Sequence, residues 1–233
     1  LIAMIIYHTL YDMAVIFGFH FNISWFFSQP MHIFQQCIGI SFIFISGMSS
    51  TLSKNSLRRS LIIFAAAMGM TIITAILMPS QIIRFGVLHL LGVSGIITAA
   101  FMPSIKKLTR MSSLLFAVLF FIIFYITDNI PNGYLNLFFK NIYLPKILYT
   151  SKYTFFLGFP HSKFYSSDYY PLIPWIFLFL AGAFLLSALR YILPKFCYKL
   201  HVPALAAIGR HTLMIYLLHQ PVIYGVLYLI CSI

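Results

Sequence analysis

The chain is short of charge, and above all of negative charge. Only three of its 233 residues are acidic, and all charged residues together make up 8%, against roughly a quarter in an ordinary soluble domain, so a water-facing globular surface is excluded. With 61% hydrophobic residues and a mean hydropathy of +0.96, the composition is that of an integral membrane protein. The three cysteines, Cys37, Cys197 and Cys231, have no CxxC spacing, which argues against a thiolate zinc site or a disulfide framework and leaves them as packing residues. No internal repeat or low-complexity tract is visible. The apolar runs are continuous rather than alternating, so the spans are expected to be helices and not the strands of a membrane barrel.

What is present organises around those runs. They predict an all-α, polytopic transmembrane helical bundle of about seven spans, near residues 1–21, 33–52, 58–78, 86–102, 112–127, 171–193 and 205–230. The net charge of +12 would suggest nucleic acid in a soluble protein, but here the cations sit in short loops and report topology. Lys54, Arg58 and Arg59, then Lys106, Lys107 and Arg110, then Lys195, Lys199 and His201 fall in alternate loops, so that side reads as cytoplasmic and the C-terminus as outside. The expected setting is a membrane, with lipid as surroundings. The sequence reads as a single domain over 1–233. Leu1 already lies inside an apolar run without a basic flank, so an N-terminal truncation is expected. Residues 128–170 form a long, aromatic, proline-punctuated connection on the outer side, expected to act as an outer loop or lid.

Polar residues inside such runs are expensive and mark function by default. Asp12 follows His8 by four residues, a helical spacing that turns both side chains onto nearly one face, offset by about 40° and about 6 Å along the axis. His219 and Gln220 lie deep in the last run, followed by Pro221, which frees a carbonyl one turn earlier. His32, Arg84, His89, Asp168 and Trp175 begin spans at the outer end, so that side chains from five spans could line one outward cavity. Duller roles compete: Arg84 and His32 can snorkel to headgroups, Gln35 and Gln36 can be interhelical glue, and His20, His161 and His201 sit at interfaces. On the basic side, Arg210 follows Gly209, and with His211 it suits a phosphorylated ligand.

The ordered segments YHTLYD, FIFISGMSS, RFGVLHLLGV, DYYPLIPWIFLFLAG and GRHTLMIYLLHQPVIYG resemble the bacterial members of the heparan-α-glucosaminide N-acetyltransferase catalytic-domain family over nearly the whole chain. The last is also similar to the terminal helix of the wider class of transmembrane acyltransferases that decorate cell-surface sugars. The resemblance implies acyl transfer from cytoplasmic acetyl-CoA to an amine or hydroxyl of a saccharide or glycolipid acceptor across the membrane, with a catalytic histidine and no metal. His8 is the first candidate for that histidine and His32 the second. Members usually carry an arginine, an aspartate and an Arg-Gly pair before the first span, and this sequence begins after that point.

Acyl transfer from a thioester needs a base for the acceptor and donors for the developing oxyanion. His8 is expected to be the base, oriented by Asp12 as a carboxylate orients the histidine of a hydrolase triad. Arg84, His89, Asp168, Trp175, His219 and Gln220 would polarise the thioester or bind the acceptor, and Arg210 and His211 the donor. No serine or cysteine stands in a nucleophile motif, so direct transfer is favoured over an acyl-enzyme. The rival reading is a proton-coupled transporter or flippase, which would use the same Asp/His pair as a relay. Against it stand the lack of a repeat and the scarcity of acids.

Overall fold

The computed structural model describes residues 1–18, 23–137, 139–193 and 203–232; His20, Lys195, Cys197, Lys199 and His201 lie outside the described residues. The protein is nearly all-α. Six helices are long and apolar enough to cross a bilayer, in rough agreement with about seven expected spans. They are α2 (Gln29–Ser50), α3 (Ser56–Leu77), α4 (Val87–Lys107), α5 (Arg110–Thr127), α6 (Leu172–Leu189) and α8 (Thr212–Cys231). The chain is thus an integral, multi-pass membrane protein. The first run is shorter: α1 (Ile2–Tyr11) continues into a π-helical turn, Asp12–Ile16. The expected last span divides into a short α7 (Pro203–Arg210) and α8, separated at His211.

The chain separates into two compact units, Leu1–Ser41 with Pro194–Ile233, and Phe42–Leu193. In the second unit α3 packs on α4, α4 on α6, and α5 on α6. More than half of the apolar windows of α4 and α6 is buried, 56% and 61%, against 17% for α3 and α5, which makes α4 and α6 the inner helices of the unit. Small residues permit the approach: a Cβ at Gly92 would strike the backbone of Phe64, and one at Gly95 would strike Ser60. Gly47 and Gly182 are more demanding, since a Cβ at either would collide with a backbone carbonyl, that of Phe179 or Phe44 respectively. No flexible side chain can yield there, so neither position accepts alanine without moving a helix. Between α5 and α6 the filling is aromatic, with Phe116 and Phe120 both packed against Phe184 and Phe124 against Trp175.

After α5 come a short antiparallel hairpin, β1 (Tyr134–Leu137) with β2 (Lys140–Tyr143), and several single turns of 3-10 helix before α6. Gly133 and Gly158 stand in the left-handed region, φ 92° and 112°, and close the turns that start and end this segment. In the first unit α1 packs against α8, and α8 also touches the π-turn. The turn is closed by the Phe17 amide donating to the Asp12 carbonyl, five residues back, at 2.9 Å. π-turns insert an extra residue per turn and are frequent at functional sites.

Candidate functional site

Among the described residues, one polar cluster stands out in each unit. In the first unit Asp12 is fully buried at the start of the π-turn. Its Oδ1 accepts a hydrogen bond from Gln220 Nε2 on α8 at 2.8 Å. Its Oδ2 is buried with no hydrogen-bond partner among the described residues. The helical spacing of His8 and Asp12 therefore does not pair them: Asp12 bonds across to Gln220, and the His8 ring packs edge-on against His219 with centroids 4.9 Å apart. Aromatic rings close around the histidines, Tyr7 beside His8 and Tyr216 beside His219.

His219 has a defined protonation pattern. Its Nδ1 lies 2.6 Å from the Tyr216 carbonyl, which can only accept, so Nδ1 carries the proton. In the neutral ring Nε2 is then a bare lone pair, and it too is buried without a partner among the described residues, as is Gln220 Oε1. The cluster thus holds three buried acceptor atoms, Asp12 Oδ2, His219 Nε2 and Gln220 Oε1, with no donor directed at them among the described residues. Buried acceptors are ordinarily satisfied, and each left unmade costs about 1–3 kcal/mol. What they lack in common is a hydrogen-bond donor.

The second cluster gathers at the start of α4. His89 is buried with both ring nitrogens engaged: Nδ1 accepts from the Gly86 amide at 3.2 Å, and Nε2 lies 3.2 Å from Thr71 Oγ1. Thr71 Oγ1 in turn donates to the Ile83 carbonyl at 2.7 Å, so His89 Nε2 is the donor to Thr71. Phe85 stacks on the ring. Asp168 caps the same helix from a distant part of the chain, its Oδ2 accepting from the Val87 amide at 3.1 Å. A Cβ at Gly86 would overlap that carboxylate, which explains a glycine at this position. Burial pushes the Asp168 carboxyl up to about 6, partly offset by the Val87 amide. The segment around Asp168 is laced to the α3–α4 connection through the Arg84 amide to Ser166 Oγ, the Ser167 amide to the Ile82 carbonyl, and the Tyr170 amide to the Phe85 carbonyl. Two of the amides that the start of a helix leaves without a helical acceptor are thus taken by side chains, that of Gly86 by His89 and that of Val87 by Asp168.

The other sequence candidates are placed as follows. Arg84 is exposed, its guanidinium 5.9 Å over the Phe164 ring. Trp175 is buried between Phe124 and Tyr170 as a packing residue. His32 is exposed on α2, and Arg210 and His211 are exposed at the α7–α8 break. Sequence reasoning missed Thr71, which links His89 to the α3–α4 turn, and the Tyr216 carbonyl, which fixes the His219 tautomer. A backbone acceptor has no sequence signature. The only hint for Tyr216 is its position one helical turn before His219.

Comparison with known proteins gives one result. Residues 1–221 match the family described as heparan-alpha-glucosaminide N-acetyltransferase, catalytic; no curated protein and no solved structure matches. A match over nearly the full length joins six apolar helices to a buried acid, a histidine pair and an amide, and on that ground the chain belongs to the heparan-alpha-glucosaminide N-acetyltransferase catalytic-domain family, as a membrane acetyltransferase.

Proposed function

We propose that the protein transfers an acetyl group from acetyl-CoA to a primary amine of an extracytoplasmic saccharide or glycolipid, and that the cluster of Asp12, His8, His219 and Gln220 binds that amine. The observation that carries this reading is the set of three buried acceptor atoms without donors. A primary ammonium brings three N–H groups and a positive charge to them, whereas a hydroxyl brings one donor and no charge. An amine therefore suits the site better than an alcohol.

His219 is the general base in this proposal. Its Nδ1–H is held by the Tyr216 carbonyl, which leaves Nε2 to take a proton. Asp12, steadied by Gln220, holds the incoming ammonium. Once the first ammonium proton has passed to Nε2, the nitrogen attacks the thioester carbon and the C–N bond forms as the C–S bond breaks; the proton on Nε2 goes to the leaving sulfur, and the second proton shed by the nitrogen passes to His8 and from there to solvent. His8, packed against His219, is the second base; the exposed His32 is the weaker candidate. Acetyl-CoA supplies the acyl group already activated. The cluster suits such a donor, because it combines a base with acceptors and contains no serine or cysteine nucleophile. Arg210 and His211, exposed at the helix break, are the proposed contacts for its phosphates. The basic loops favour donor entry from the cytoplasm and an outward C-terminus, and the resemblance to the bacterial members of the family favours a bacterial inner membrane.

The test uses protein reconstituted in vesicles, labelled acetyl-CoA, and two acceptors that differ only in carrying a free or an already acetylated amine. Label passing to the free-amine sugar alone, together with thermal stabilisation by coenzyme A, is the expected result. Equal labelling of both acceptors would move the chemistry to a hydroxyl. No labelling of either, with the coenzyme A shift intact, would remove the saccharide.

A further inference from the structure

The hairpin after α5 exposes too much apolar surface for a water-facing loop. Phe139 at its tip is fully exposed, Tyr143 is 79% exposed, and beyond it Ile147 and Tyr153 are 75% and 81% exposed. Every residue of β2 is exposed, so both faces of that strand, Lys140 with Ile142 and Asn141 with Tyr143, lack a covering layer. A two-stranded sheet alone is marginal in water and is normally backed by a third layer. Here the backing on one side comes from α5, against which β1 packs.

This segment is nonetheless firmly held. The Leu144 amide donates to the Gly133 carbonyl at 2.8 Å, extending the ladder, and the Tyr149 hydroxyl donates to the Ile130 carbonyl. Both anchors lie within a few residues of the end of α5, a helix apolar enough to span the bilayer. The aromatic and aliphatic side chains are thus fixed close to where a transmembrane helix leaves the lipid. Among them stand three exposed lysines, Lys140, Lys146 and Lys152, and no acidic residue lies between Asp128 and Asp168.

We infer that the hairpin and the turn after it form a membrane-interface anchor, seated in the phospholipid leaflet at the end of α5. Phe139, Ile142, Tyr143 and Ile147 enter the boundary between headgroups and acyl chains, and Lys140, Lys146 and Lys152 meet the phosphodiesters. Aromatic rings with polar edges and long lysine stems are suited to that zone, and the uncompensated positive charge complements phosphate. The leaflet is the layer that β2 lacks. It holds the long connection flat at the membrane surface rather than leaving it free in solution.

Nitroxide labels at Phe139→Cys and Tyr143→Cys, on a background with Cys37, Cys197 and Cys231 changed to serine, test this in vesicles of phosphatidylcholine and phosphatidylglycerol. Collisions with oxygen exceeding those with an aqueous nickel chelate several-fold at both positions are expected. Chelate collisions as frequent as for a freely dissolved nitroxide would overturn the anchor. Should the serine background not fold, a Phe139→Trp variant that keeps all cysteines gives the same reading. Added emission quenched by lipids brominated near the headgroup supports the anchor, and added emission indifferent to brominated lipid overturns it.

Discussion

The two polar clusters use the same side chains for opposite ends. At the start of α4, both ring nitrogens of His89 and Oδ2 of Asp168 are matched to backbone amides and to Thr71, and the result is a capped helix and a tethered loop. In the α1–α8 cluster, Asp12, His219 and Gln220 keep one acceptor each unmatched among the described residues, although all three atoms are buried. A satisfied buried histidine holds a fold together. An unsatisfied one costs stability, and such a cost persists where a ligand removes it. Burial and residue type are alike in the two clusters, so under the proposed function it is the hydrogen-bond census that assigns His219 to the chemistry and His89 to the fold.

The largest expected effect falls on the unsatisfied side. His219→Ala should lower kcat by about 10²- to 10⁴-fold, the usual contribution of a positioned general base, while stability falls by only about 1 kcal/mol, the net worth of the Nδ1–H bond to the Tyr216 carbonyl, because Nε2 has no partner among the described residues to lose. Single-turnover acetyl transfer and a melting curve read the two halves. Activity surviving intact would place His219 with His89 and dissolve the contrast. Next comes Asp12→Asn, which retains an oxygen to accept from Gln220 but removes the charge offered to an ammonium. Loss of a charge-assisted hydrogen bond, about 1.5–3 kcal/mol, corresponds to a fall of about 10- to 100-fold in kcat/KM. A melting point that drops with no kinetic change would make Asp12 an architectural acid.

On the satisfied side the signs reverse. His89→Ala strands the Gly86 amide and opens space beneath Phe85, so it should destabilise the protein by about 1–3 kcal/mol in a denaturant titration with kcat unchanged. A kcat loss comparable to that of His219→Ala would show that the α4 cluster also touches substrate. The smallest effect belongs to Asp168. Its carboxyl is raised by burial from the ordinary range to about 6, so the folded state holds the proton more tightly than the unfolded chain between pH about 4 and about 6. Its contribution is thus greatest below pH about 4, is lost as pH rises to about 6, and is flat above. Asp168→Asn keeps an acceptor for the Val87 amide and removes the titration. The melting temperature of the variant should fall less than that of the parent between those pH values; parallel curves would show that Asp168 is not the group responsible.

Much of this was legible beforehand, for identifiable reasons. Apolar runs longer than the bilayer core mark helices whatever their neighbours, so α3, α4, α5 and α6 fall close to the expected positions. The helix of residues 29–50 begins earlier than its apolar run because Pro30 is tolerated in a first turn, where no amide donor is required. His8, Asp12, His219 and Gln220 were all visible as polar residues in apolar surroundings. Their pairing was not. Helical periodicity joins His8 to Asp12 only if neither has a better partner on another helix, and Gln220, 208 residues away, is that partner for Asp12. His89 and Asp168 read as site residues for the same cause, since nothing local shows that Gly86, Val87 and Thr71 absorb them.

By itself, then, the sequence determined the solvent in which this protein folds, the approximate course of its spans, the family to which it belongs and the short roster of polar residues placed in its apolar helices. These follow from composition and local order, because hydrophobic length and residue spacing are properties of the chain. The tertiary structure alone decided which acceptors are matched and which are left open, that His219 presents Nε2, and that β2 stands uncovered. Hydrogen bonds across helices depend on distances of a few ångströms between residues far apart in sequence, and no pattern along the chain encodes them.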